Sequence, residues 1–152
     1  MRLRLAAEVE GNFKDVMSAF DRNLFEALKP PAGQMEIVQF TGSKKGDVVH
    51  LRFVKPIHAE WISEIVEDGE SEEECWFVDK GTTLPWPLQT WTHKHIVKKI
   101  DTNTSVIVDD MSFTGKNPFL TLLLYPALFI GFYPRKKVYK RYFKDLKYAN
   151  SL

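Results

Sequence analysis

What limits the possible folds most severely is the last quarter of the chain, Asn117 to Asn150, where an apolar run from Phe119 to Tyr133 passes directly into Pro134-Arg-Lys-Lys-Val-Tyr-Lys-Arg-Tyr-Phe-Lys144. Read as one long helix, its front half is apolar on every side. Its back half is amphipathic: Val138, Tyr142 and Leu146 recur at i+4, as do Tyr139 and Phe143, while Arg135, Lys136, Lys137, Lys140, Arg141 and Lys144 take the other face. A helix apolar all round has to be covered all round, so the remainder of the chain is expected to wrap it.

With 152 residues, the chain is expected to form one domain, residues 1–152, able to bury about two thirds of the surface its unfolded form exposes. Twenty-one Lys and Arg against twenty Asp and Glu leave a formal net charge of +1. Nothing global therefore suggests a nucleic-acid partner, whose affinity rests on neutralising phosphates. The single cysteine, Cys75, excludes an internal disulfide framework and points to a reducing, cytoplasmic compartment. The N-terminus carries charges throughout and lacks the apolar block of a secretory signal.

Leu3, Leu5, Ala7 and Val9 alternate with Arg2, Arg4, Ala6 and Glu8, the period-two pattern of a half-buried strand that Gly11 ends. Asn12 is placed to cap a helix whose apolar face is Phe13, Val16, Met17, Phe20 and Leu24, with a break near Asp21-Arg22-Asn23 and a stop at Pro30-Pro31. Six strands then follow, over Met35 to Phe40, Asp47 to Val54, Ala59 to Val66, Glu74 to Asp79, Thr90 to Ile100 and Ser105 to Phe113. The order is one strand, a helix pair, a meander of about six strands and a long helix. The connections between the meander strands are short enough for antiparallel neighbours. A flat sheet would cover only one side of the last helix, whereas a strongly curved one can grip it and leave a cavity between. The fold class is α+β.

Along the Thr90 to Ile100 strand, Thr92, Lys94 and Lys98 belong outside, which turns Trp91, His93, His95 and Val97 inward. Histidines at i and i+2 suit a metal, but third and fourth ligands would have to be carboxylates. No metal is expected, and no fingerprint of a cofactor, a phosphate-binding loop or a Ser or Cys nucleophile is present.

The segments Phe77-Val-Asp79, Pro87-Leu88, Trp91-Thr-His93-Lys-His95 and Thr104-Ser-Val-Ile-Val-Asp109-Asp-Met111-Ser-Phe113 together resemble the F-x-D, P-F-x-x-W-x-H-x-H and T-x-x-x-x-D-x-V-x-Y string of the SRPBCC superfamily, the START-like and pollen-allergen-like ligand-binding proteins. The Gly42 to Asp47 hairpin, Trp61-x-x-x-Ile65 and Arg135 fit the same pattern. Trp86 stands where such proteins commonly carry Gly, and the loop from Asp79 to Pro87 is longer than usual. The resemblance implies a helix-grip fold, with a seven-stranded antiparallel sheet wrapped on a C-terminal helix and small apolar molecules held between them. It also admits a cyclase- or dehydratase-type activity.

On this basis the chain is expected to bind a hydrophobic or amphipathic small molecule, lipid- or polyketide-like, in a cavity lined by Trp61, Phe77, Trp91, His93, His95, Met111 and Phe129. The alternative is a polyketide cyclase/dehydratase-type enzyme using His93, His95 and Asp109, a His–Asp pair serving as general base. A three-residue turn after Asp101 sets Asp109 opposite His95, while a two-residue turn swaps in Asp110 and Ser112. Asp109 is preferred because its face is the more apolar and because the family string places its Asp there. Asp79 is a second candidate carboxylate, its plainer role being to cap the following turn. A third reading is a peripheral, lipid-contacting protein: the apolar run falls short of the roughly 20 residues needed to span a bilayer, yet its basic continuation and Tyr125, Tyr133 and Tyr139 suit weak contact with an anionic membrane surface.

Overall fold

The computed structural model describes residues 1–30 and 34–152. Pro31, half of the Pro30-Pro31 helix stop, lies outside them. Strand β1 (Arg2–Glu10) is followed by helices α1 (Phe13–Ser18) and α2 (Arg22–Ala27). Strands β2 (Gln34–Phe40), β3 (Val48–Lys55), β4 (Ala59–Glu70), β5 (Glu74–Thr83), β6 (Leu88–Lys99) and β7 (Thr104–Gly115) come next, then α3 (Pro118–Phe132) and α4 (Arg135–Asn150). The seven strands form one antiparallel sheet in the order β1-β7-β6-β5-β4-β3-β2. Each meander strand lies beside its predecessor, and the first strand closes against the last.

The α+β helix-grip architecture is therefore as expected, with several elements longer than their sequence cues. β4 runs on to Glu70 and β5 to Thr83, so the acidic connection shrinks and the loop before Pro87 becomes partly strand. Strand β1 alternates as read, with Leu3, Leu5, Ala7 and Val9 buried and their neighbours exposed. Asn12 accepts a hydrogen bond from the Lys14 amide, and Asp21 caps the second short helix through the Leu24 amide. Register shifts in the β2–β3 and β4–β5 pairings add local twist and bend to that half of the sheet. Its curl over the helices produces two groups of buried side chains. One joins β1, β5 and β7 to α1, α2 and α4 through residues such as Phe20, Leu24, Phe77, Tyr139 and Phe143. The other, around Leu3, Trp91, Met111 and Phe113, meets Leu124, Leu128 and Phe132 of α3.

The final helix departs from expectation in two ways. It is two helices rather than one: Pro134 has no amide hydrogen to donate, and the chain reorganises at Tyr133–Pro134 before α4 begins. The apolar front half is not covered on every side. No residue of α3 is fully buried. Only the positions Leu120, Thr121, Leu124, Leu128 and Phe132 are half-buried, and Phe119 and Ile130 are 68% and 71% exposed. The helix held in the grip is α4, through Tyr139 and Phe143.

Candidate functional site

A cavity of about 230 Å³ lies between the concave face of the sheet and the helices. Its walls are mostly apolar, with Leu51, Phe53 and Trp61 from the middle strands, Phe25 and Leu28 from α2 and its end, and Leu128 and Phe132 from α3. At one side three polar groups meet it: Asp79, His93 and His95. Strand alternation brings them together. In register, Asp79 faces His93 and Phe77 faces His95 across β5 and β6, while His95 faces Asp109 across β6 and β7. Lys99 pairs with Ser105 and the Ile100 amide bonds the Thr104 carbonyl, so the turn holds three residues and Asp109 is the inward carboxylate. Asp110 points to the opposite face and binds Arg2.

The hydrogen bonds do not follow the register. They run diagonally, from His93 Nε2 to Asp109 Oδ1 (3.0 Å) and from His95 Nε2 to Asp79 Oδ2 (3.1 Å). The expected His95–Asp109 partnership is thus replaced by a four-membered box, because long side chains on adjacent strands reach i±2 neighbours as readily as direct ones. Trp91 Nε1–H donates to the other oxygen of Asp79 (3.1 Å), and the Tyr139 hydroxyl donates to Asp109 (3.3 Å). Phe77 stacks on His95 at 4.3 Å between ring centroids, and the two imidazoles lie 3.7 Å apart. One atom is left over. His95 Nδ1 is buried with no hydrogen-bond partner, 3.4 Å from Asp109 Oδ1.

Burial in a medium of low dielectric opposes charge on every member of the box, and the neighbours decide what survives. For Asp109 burial is outweighed by the hydrogen bond from His93 and by His95 close beside it, and the carboxyl is held far below the usual range. Asp79 is lowered for the same reason, with His95 its main partner. The histidines part company. Burial, with the charge of His95 beside it, lowers His93, whereas for His95 the two aspartates overcome burial and raise it. The neighbours thus push both carboxyls toward the charged form, His95 toward the protonated form and His93 toward the neutral one. Burial and the Asp109 charge push Tyr139 well above its ordinary value, so it remains a donor.

Five of the seven residues expected to line the cavity do so: Trp61, Phe77, Trp91, His93 and His95. Met111 is instead fully buried against Trp91 and Phe113, and Phe129 turns outward to stack on Tyr133. Leu128 and Phe132 take the place given to Phe129, on the face marked by the four-residue spacing Leu120, Leu124, Leu128, Phe132. The role of Tyr139 has no sequence cue, since a tyrosine within an amphipathic stripe carries no signal that its hydroxyl meets a carboxylate; Arg135, part of the family pattern, lines the cavity. Asp79, His93 and His95 also offer ligand atoms within 4.8 Å of one another. That set could hold a cation, Asp79 being the third ligand that the two histidines lacked. Cys75 is buried, and burial followed by the Glu70 charge pushes its thiol up, away from nucleophilic chemistry.

No protein-family model and no curated protein matches the sequence. Solved structures do match the fold. An aromatase/cyclase, Zhui from Streptomyces sp. R1128, superposes with a TM-score of 0.70 at 12% identity, over 91% of this chain and 90% of its own. The protein XoxI from Bacillus cereus gives 0.66 at 18% identity, over 96% and 97%. Norcoclaurine synthase from Thalictrum flavum, in complex with dopamine and hydroxybenzaldehyde, gives 0.61 at 15% identity, over 84% and 76%. The SRPBCC-type, helix-grip fold implied by the sequence string is thereby established, and at these identities the likeness concerns the fold alone.

Proposed function

We propose that this chain binds a hydrophobic or amphipathic small molecule, lipid- or polyketide-like, in the cavity between the sheet and the helices. The observation that carries the reading is the composition of that cavity: mostly aromatic and aliphatic walls, a corner where Asp79, His93 and His95 converge, and Ser43, Ser63 and Arg135 as the other side-chain polar groups of the lining. Apolar walls supply binding energy in proportion to the area removed from water, and a small set of fixed polar groups orients the molecule. A ligand carrying a hydroxyl or carbonyl at one end would place it at that corner. The unpartnered Nδ1 of His95 supports a corner with hydrogen-bonding capacity to spare. Native mass spectrometry of protein purified from its own host should show a co-purifying apolar molecule. An environment-sensitive apolar fluorophore should bind and quench tryptophan emission, and Trp61→Ala should weaken it roughly tenfold or more. Absence of binding across fatty acids, sterols and aromatic polyketides would defeat the reading.

A second reading, an enzyme of cyclase type, is favoured by one particular of the geometry. The Nε2–H of His93 is held by Asp109 and its ring lines the cavity, so Nδ1 carries the lone pair. An imidazole oriented by a carboxylate behind it is the arrangement of a general base. Such a base would take a proton from a carbon next to a carbonyl; the resulting enolate would attack a second carbonyl and close a ring, and the new alkoxide would recover the proton. The fold neighbours named as cyclases support this reading's reaction type. Turnover of an aromatic polyketide chain should fall roughly 10²–10⁴-fold in His93→Gln if His93 is the base. Unchanged turnover in a folded variant would remove His93 from the chemistry.

A further inference from the structure

The largest unexplained feature of the molecule is the outer face of α3. Phe119, Leu122, Leu123, Tyr125, Phe129, Ile130 and Tyr133 are all exposed, and the helix carries no charged residue from end to end. A contiguous apolar face of this kind on a folded protein marks an interaction surface. Among the described residues no helix is long and apolar enough to cross a membrane. The 15 residues of α3 span roughly 22 Å at 1.5 Å per residue, against a hydrocarbon core about 30 Å thick. A helix of this length that keeps its inner face on β7 can only lie along a surface.

The charges around α3 select the surface. Lys116 precedes it and Arg135, Lys136 and Lys137 follow it, and the sequence has no Asp or Glu between Asp110 and Asp145. Trp86 is 73% exposed, and the Lys116 amide bonds the carbonyl of Pro87 (3.0 Å), which brings the Trp86–Pro87 backbone close to the start of the helix. Lys136 lies over the exposed Tyr133 ring, so a cation and an aromatic ring meet at the other end, while Arg135 lies over Phe132 on the cavity side. An apolar strip with basic and aromatic residues at both ends matches an anionic lipid leaflet, with acyl chains under the strip and headgroups at its rim. It does not match a second copy of itself. Antiparallel pairing of two α3 helices about a twofold axis would carry Lys116 of one toward the Arg135–Lys137 cluster of the other, with no acidic residue in the segment to offset them.

We propose that α3 docks this protein on the surface of an anionic membrane, lying in the plane of the bilayer with Phe119, Leu122, Leu123 and Ile130 among the lipid chains. Ala127 and Gly131 line the cavity and are also exposed, so its mouth runs along the docked helix. A molecule dissolved in the leaflet would meet that mouth without crossing water. Docking itself does not depend on what the cavity holds.

Sedimentation of the whole chain with phosphatidylcholine vesicles, with and without phosphatidylglycerol, tests the proposal. Binding is expected to phosphatidylglycerol-containing vesicles and to weaken in high salt. The double variant Leu122→Glu/Ile130→Glu should keep its circular dichroism and lose roughly tenfold or more of the binding. Lys136→Glu/Lys137→Glu should lose roughly fivefold per lysine, on the anionic vesicles only. If the glutamate pair fails to fold, Phe119→Ser/Leu122→Ser probes the same face and should show the same loss. Wild-type protein that stays in the supernatant, or glutamate and serine variants that bind as well as wild type, would overturn the proposal. So would a wild-type dimer in sedimentation velocity that the variants dissolve into monomers without any vesicle binding. The fluorophore assay in solution reports on the cavity separately, so loss of membrane binding and loss of ligand binding can be told apart.

Discussion

Helices α3 and α4 are consecutive, nearly equal in length and opposite in how content relates to burial. α3 is almost wholly apolar and buries no residue completely, while α4, half of it Lys, Arg and other polar residues, places Tyr139 and Phe143 at 1% and 2% exposure in the middle of the main core. Burial follows arrangement rather than total hydrophobicity. α4 has a stripe that matches the concave sheet, and its lysines reach water from the other side. In α3 every face is apolar, so nothing in the helix itself selects the side that meets the sheet, and a sheet that has already closed on α4 covers only one side of it.

The contrast can be broken most forcefully at Phe143. Phe143→Ala should cost about 3–5 kcal/mol, the usual result of emptying a packed aromatic site, read as a lowered urea midpoint at unchanged slope. If the cost is small, α4 is not the gripped helix. Asp109→Asn comes next. It removes a buried charge that accepts from His93 and from Tyr139 of α4, and should cost about 1–3 kcal/mol, with tyrosine absorbance reporting any change at Tyr139.

The pH dependence of stability sharpens the role of the box. His95 is raised in the fold, so its contribution is fully present below the unfolded value of about 6.5 and is lost as pH rises through the higher folded value. His93 is lowered, so its neutral form favours the fold above about 6.5 and stability falls as pH drops below that. Asp79 and Asp109 are lowered, and their contributions, present above the unfolded value of about 4, are lost as pH falls through the folded values. His95→Gln should therefore abolish the decline in urea midpoint on the alkaline side of about pH 6.5 and leave the acid limb in place. A decline that persists in the variant would assign it to another group.

The smallest effect is expected on α3. A reading of the last quarter as all core would have Leu123→Asp unfold the protein, since an unpaired buried charge is severely destabilising. Leu123 is 51% exposed, and the substitution should shift stability by about 0.5 kcal/mol or less. Unfolding by Leu123→Asp would restore the all-core reading.

Much of the architecture was determined by the sequence alone. Period-two alternation in β1 and β6, turn residues between short apolar runs, and the Trp91-Thr-His93-Lys-His95 string sufficed for an antiparallel helix-grip sheet with two inward histidines. These signals are local, because a strand's facing is set by its own alternating residues. The inward choice of Asp109 over Asp110 needed one further fact, the length of a turn. What only the tertiary structure decided depends on distances between elements. The diagonal pairing of His93 with Asp109 and His95 with Asp79, the arrival of the Tyr139 hydroxyl, and the exchange of Phe129 for Leu128 and Phe132 on the cavity wall all follow from how far the sheet curls and where Pro134 breaks the helix. A hydrophobic pattern records which side chains avoid water within one element. It has no term for the side of a uniformly apolar helix that a curved sheet will reach, and so α3, the most hydrophobic segment of the chain, was the one whose environment its sequence could not specify.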